Sequence, residues 1–147
     1  MTKPLLAILL LLPLSVSAGS VDGKSLVCKN KKDHGVVGFM FIDGTVTADA
    51  ILETELKYRI TRFGESRDDK SYRETGSELS WYTNIASYWV LNRKTLELSR
   101  GQPYESSPKK HYVCEVFESF DDYHDKLGDM RSEKQRQLEE EIQDNKI

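Results

Sequence analysis

The densest run of side chains able to do chemistry is "FDDYHDKLGD", residues 120–129. Asp121, Asp122, Asp125 and Asp129 surround His124, one of three histidines in the chain, with Gly128 close behind. A calcium loop of the EF-hand kind takes oxygen ligands at alternate positions, a glycine at the sixth and a glutamate at the twelfth. Counted from Asp122, the third place is His124, the fifth is Lys126, and Gly128 falls one position late, so that pattern fails. A transition metal finds Asp121, His124 and Asp125 on one helical face at i, i+3 and i+4, yet its remaining ligands would have to come from elsewhere and the sequence names none. The spacing fits a helix start better. Ser119 with Asp122 three residues on follows the capping-box pattern. Asp121 and Asp122 then meet the positive end of the helix dipole, worth roughly 0.3–1 kcal/mol each. No metal ligand and no cofactor is assigned. Gly128 inside a helix costs about 1 kcal/mol relative to alanine, which calls for a close packing contact, a kink or a chain break there.

Other catalytic sets are no richer. His34 sits in a charged turn, His111 at a strand edge and His124 on the helix, and none has a nucleophile motif such as Gly-x-Ser-x-Gly around it. Paired carboxylates (Asp68 with Asp69, Asp121 with Asp122) lie in polar stretches open to water. There is no phosphate-cradling glycine loop and no HExxH. The reading is a non-catalytic protein. Binding has more support, from seven tyrosines and two tryptophans. Trp81 beside Tyr82, and Tyr88 beside Trp89, must point to opposite faces of their strands, since side chains alternate along a strand. With the tryptophans inward, Tyr82 and Tyr88 face out, where aromatic rings suit protein or glycan contact. The same two rings would equally serve ordinary cross-strand pairing.

The elements that position these residues are short strands and one helix. "SLVCK" (25–29) begins the series. "VVGFMFI" (36–42) is apolar at both parities, the mark of a strand covered on both faces. Asp43-Gly44 is a hairpin signal leading into "TVTADA". "LKYRITRF" (56–63) alternates with Leu56, Tyr58, Ile60 and Arg62 on one face, and "GESRDDKSYRET" reads as a loop or exposed hairpin. "SELSWYTN" and "SYWVLNRKTLELS" put Leu79, Trp81, Trp89, Leu91, Leu96 and Leu98 inward, bulk enough to fill a small barrel. "GQPYESSPKK" is loop, and "HYVCEVF" sets Tyr112, Cys114 and Val116 on one face. Seven or eight strands of this spacing predict a mainly β fold, a small antiparallel sandwich or barrel. From Ser119 to Asp144 a stripe of Phe120, Tyr123, Leu127 and Met130 predicts a C-terminal helix. Its first three turns should dock on the sheet, and its charged remainder should project as a tail.

Residues 1–18 have the grammar of a secretory signal peptide: Lys3, an apolar run, Pro13, then Val16-Ser17-Ala18 as a small-x-small cleavage site. The apolar run is short of the roughly 20 residues that span a bilayer, so no membrane span is expected after cleavage. The organisation predicted is signal peptide 1–18, β domain 19–117, and helix with charged tail 118–147. Cleavage removes only Lys3 among the charges, moving the formal charge from −3 to −4. A mildly acidic chain with dispersed lysines argues against nucleic acid as partner. Cys28 and Cys114, an even pair in an oxidising compartment, predict one disulfide, with an entropic effect of roughly 4–5 kcal/mol on the unfolded chain.

"WVLNRKTLELS" with "HYVCEV" resembles a recurring end-piece of small secreted bacterial proteins, which implies export but names no activity. The layout is also similar to periplasmic lysozyme-inhibitor barrels, small exported domains pinned by a cysteine bridge. Their Ser-Gly-x-x-Tyr loop is missing, Thr75-Gly76-Ser77 being a different motif, so no inhibitory residue is carried over. The expectation is a periplasmic or secreted protein that binds a protein or glycan. The alternatives are a hydrolase inhibitor of the lysozyme-inhibitor type and a small-ligand-binding barrel.

Overall fold

A computed structural model of the chain describes residues 20–64, 72–84, 87–101 and 110–145. The segment read as a signal peptide, the charged stretch around Asp68-Asp69 and most of the loop between 101 and 110 lie outside the described residues. Among the described residues nine strands run in chain order: β1 (Ser25–Asn30), β2 (Val36–Ile42), β3 (Thr45–Thr54), β4 (Lys57–Gly64), β5 (Arg73–Glu74), β6 (Glu78–Asn84), β7 (Ser87–Asn92), β8 (Glu97–Gly101) and β9 (Lys110–Phe117). One helix among the described residues, α1 (Phe120–Asp144), follows. All strand pairings are antiparallel, in one sheet of order β4-β3-β2-β1-β9-β8-β7-β6-β5.

That sheet is curled into a half-barrel. In a flat sheet, neighbours spaced about 4.8 Å apart would hold β2 and β6 more than 20 Å from each other. Instead the Phe39 ring lies 4.9 Å from Trp81 and 5.0 Å from Trp89, and Phe41 lies 5.3 Å from Trp81, all edge to face. The concave side is thus closed by aromatic contact between strands that share no ladder. Leu26, Cys28, Phe39, Phe41, Val46, Ala48, Leu79, Trp81, Trp89, Leu91, Leu98, Tyr112 and Cys114 form this core. The inward alternation read for β6 to β9 holds, and burying a large apolar side chain of this kind contributes about 1.5–3 kcal/mol.

Cys28 and Cys114 face each other across the β1–β9 pair and form the disulfide, joining the first strand to the last over a separation of 86 residues. Two tight turns use left-handed backbone. Asp43 (φ 50°) and Gly44 (φ 74°) join β2 to β3, as the Asp-Gly signal predicted. Glu55 (φ 52°) and Leu56 (φ 60°) join β3 to β4 in the same way without a glycine. Leu56 accordingly stands in the turn rather than at the head of the strand face where alternation placed it.

β2 is apolar at both parities because it is covered on both sides. Val27, Val36, Met40 and Ile51 point to the convex face, where they meet Tyr123 and Leu127 of α1 and the flanking Phe120 and Met130. The predicted helical stripe is therefore the docking surface. Ser119 caps the helix, its hydroxyl accepting from the backbone N–H of Asp121 at 3.2 Å and of Asp122 at 3.4 Å. Docking is possible because β2 carries Gly38 under the helix. A Cβ there would lie 2.3 Å from Tyr123 Oη and 2.8 Å from its Cε2.

The helix also reaches farther than its apolar stripe. Gln135 accepts the Tyr58 backbone N–H at 2.9 Å, and Lys134 sits 5.5 Å from the Tyr58 ring centroid. α1 thus shields part of β4, an edge strand whose outward backbone groups would otherwise seek partners. Beyond Gln135 the helix is solvated and held by its own ion pairs, Arg136 with Glu133 and Glu140. Gly128 neither breaks the helix nor makes a close contact: a Cβ there would meet nothing within 4 Å.

Candidate functional site

The helix packs against residues of β1 to β4, with Phe117 of β9 at the margin. The same convex face of β6, β7 and β8 has no element over it among the described residues. Strand register lays out what it carries. One row runs Ser80, Val90, Ser99 and His111; the next runs Tyr82, Tyr88 and Gly101; a third holds Glu97, Val113 and Lys29. Tyr82 and Tyr88 are directly opposed across β6 and β7, their ring centroids 4.7 Å apart at 39°. Tyr82 is 49 % exposed and Tyr88 is half-buried. Both expected tyrosines therefore share one surface patch, and they form the cross-strand pair that the alternation also allowed. Serines, His111 and the Lys31–Glu97 ion pair give that patch hydrogen-bonding groups around an aromatic centre.

The residues that opened the sequence reading do not converge. Asp121, Asp122, His124, Asp125 and Asp129 are all exposed, and His124 packs edge to face on Tyr123 with 5.1 Å between ring centres. Among the described residues no three His, Cys, Asp or Glu side chains come together as a metal site.

A polar cluster that the sequence did not announce lies between sheet and helix. Asp49, in the middle of β3 and 4 % exposed, accepts a hydrogen bond from Tyr123 Oη at 2.9 Å and pairs with Arg62 Nε at 3.2 Å. Burial pushes the Tyr123 phenol far above its ordinary value. The Asp49 charge and the hydrogen bond to it act in the same direction, and Arg62 opposes them. The available signal was an aspartate set between Ala48 and Ala50 in an otherwise apolar strand, since a buried charge requires partners. None of its residues lines the cavity at the open end of the half-barrel, and the cluster reads as a structural tie.

A cavity of about 220 Å³ does open at one end of the half-barrel. Leu26, Phe41, Leu79, Leu91 and Leu96 line it, together with Lys24 and Arg93. Trp81 and Trp89 fill the middle of the concave side, as the bulk of the inward set implied, and the fill stops short of this end. Leu96 takes part although its backbone is left-handed (φ 57°). Comparison with known proteins adds no parentage: no family model matches the chain, and no curated protein or solved structure shows significant similarity to it.

Proposed function

We propose that the chain is a non-catalytic binding protein of the periplasm or extracellular space, engaging a protein or glycan through the sheet face around Tyr82 and Tyr88. The observation that carries this reading is the asymmetry of the convex face. One half is sealed by α1, while the other presents a stacked tyrosine pair, Val113 at 47 % exposure, and a row of hydroxyl and imidazole groups. Aromatic rings with polar neighbours are the usual make-up of recognition surfaces. The Cys28–Cys114 bridge fits an oxidising compartment. Among the described residues no helix is long and apolar enough to cross a membrane, which agrees with that location.

The test is paired capture from a native envelope fraction, using wild type and the Tyr82→Ser/Tyr88→Ser variant, with sedimentation on purified cell-wall glycan as a parallel arm. Circular dichroism and thermal melting establish that the variant is folded. A partner retained by wild type and lost by the folded variant supports the face. Equal retention by both sinks it, and the arm in which the loss occurs separates glycan from protein.

A further inference from the structure

We infer that the open end of the half-barrel is a second site, independent of the tyrosine face, for a small unesterified carboxylate with an apolar, acyl-type tail. Its volume of about 220 Å³ exceeds the roughly 150 Å³ of an apolar cavity that takes up benzene. It falls below the roughly 300 Å³ at which sites for drug-sized ligands begin. A short chain fits and a whole phospholipid does not.

Two observations point to this ligand class. The first is charge. The lining is apolar apart from Lys24 and Arg93, and among the described residues no carboxylate belongs to it. The acids that pair with these cations approach from outside the lining. Glu118, 74 % exposed, holds Lys24 at 2.8 Å, and Glu74 holds Arg93 at 2.9 Å. Arg93 also donates to the Thr75 carbonyl at 2.7 Å and is only 17 % exposed, so it is held in place with its charge matched by Glu74. The Lys24–Glu118 pair is open to water, and exposed pairs of this kind are weak. Lys24 can therefore exchange Glu118 for the carboxylate of a ligand whose tail lies among the leucines.

The second observation is strain. Leu96 follows the turn Asn92-Arg93-Lys94-Thr95 and holds φ at 57°, where glycine or asparagine would rest without penalty. Its carbonyl is engaged by the Cys114 backbone N–H at 2.9 Å, which fixes the strained residue in place. A leucine kept in that conformation contributes a side chain that lines the cavity, something glycine would not supply. Unfavourable backbone of this kind is typically stored where a surface must be shaped for contact.

The measurement is a ¹H–¹⁵N NMR titration of the full mature chain with octanoate, octylamine and octanol, repeated for Lys24→Gln and Val116→Trp. Val116 also lines the cavity and is 38 % exposed, so a larger ring there can block the opening. Octanoate should give saturable shifts at Leu79, Leu91 and Leu96, octanol should bind more weakly, and octylamine should leave those signals unmoved. Lys24→Gln should weaken octanoate about fivefold, the scale of one exposed charge pair. Val116→Trp, if folded, should abolish the saturable shifts. Equal binding of amine and acid, shifts confined to the Tyr82–Tyr88 face, or no saturable shift within the solubility of octanoate would each overturn the proposal. The site does not rest on the tyrosine face, and its failure leaves the protein or glycan reading of that face standing.

Discussion

Replacing Tyr123 by phenylalanine removes one oxygen from the junction of helix and sheet and leaves its ring packing in place. What disappears is the donor to Asp49 Oδ2, a 2.9 Å hydrogen bond in a setting where Tyr123 is fully buried and Asp49 is 4 % exposed. A hydrogen bond to a charged group contributes about 1.5–3 kcal/mol. Because the carboxylate is left desolvated with Arg62 as its remaining side-chain partner, the upper part of that range applies, about 2–3 kcal/mol. At roughly 4 °C per kcal/mol for a domain of this size, Tm should fall by roughly 8–12 °C. Urea unfolding followed by the fluorescence of buried Trp81 and Trp89 gives the free energy directly, with an unchanged m-value. The loss should shrink in an Asp49→Asn background, where the acceptor carries no charge. The sign of the pH dependence follows from the raised phenol pKa. Below about pH 10 both folded and unfolded tyrosine are protonated, and the stabilisation is whole. Above it the unfolded phenol ionises while the folded one keeps its proton, so stability declines as pH rises, by up to about 1.4 kcal/mol per pH unit from this group. Tyr58 and Tyr72 are also shifted upward, chiefly by desolvation, so the variant should flatten the alkaline decline without removing it. A loss under about 0.5 kcal/mol, well short of a charged hydrogen bond, or an unaltered alkaline slope, would show that the Asp49–Tyr123 contact does not tie the helix down.

Three further outcomes can be checked by the same unfolding measurements. Gly128→Ala should stabilise by about 1 kcal/mol, since the position is helical and a methyl there meets nothing within 4 Å; a destabilised variant would mean that the helix bends at this point. Glu55→Asn/Leu56→Gly should stabilise by about 1–2 kcal/mol by relieving left-handed backbone at two non-glycine residues, Leu56 being 61 % exposed and contributing little packing. Unchanged or lowered stability in that variant counts against strain in the turn. Reduction of Cys28–Cys114 should cost about 4–5 kcal/mol for a separation of 86 residues, read as a shift of the urea midpoint with and without reductant.

Much of the architecture was legible because it is written in local periods. β2 matches its apolar run residue for residue, Asp43-Gly44 marks its turn, Ser119 marks the helix start, and the alternation of Leu79, Trp81, Trp89 and Leu91 names the concave face. The even pair of cysteines implied its own pairing. Sheet order was not legible, because β1 beside β9 is a contact between distant segments that no local pattern encodes. The Asp49 tie escaped for a related reason: its burial depends on which half of the convex face the helix covers. Lys134 and Gln135 interrupt the apolar stripe, yet they extend the docking by gripping Tyr58 through a cation over a ring and a backbone hydrogen bond. Tyr82 and Tyr88 were placed outward by alternation alone, whereas their stacking required the register of β6 against β7. The end cavity depends on the left-handed turn at Leu96, a backbone state that leucine rarely signals.

The pairing of β1 with β9 has a kinetic consequence. The first strand of the sheet finds its second neighbour only in the last strand, so the ladder that joins the two wings, β2–β4 and β8–β5, closes after nearly the whole chain is present. Folding during synthesis would stall with β1 half-paired, and contacts of such long sequence separation slow the search for the native state. A chain built in this way completes its sheet only once β9 is present. Should the chain be exported as proposed, that order keeps the sheet open during passage through a translocation channel.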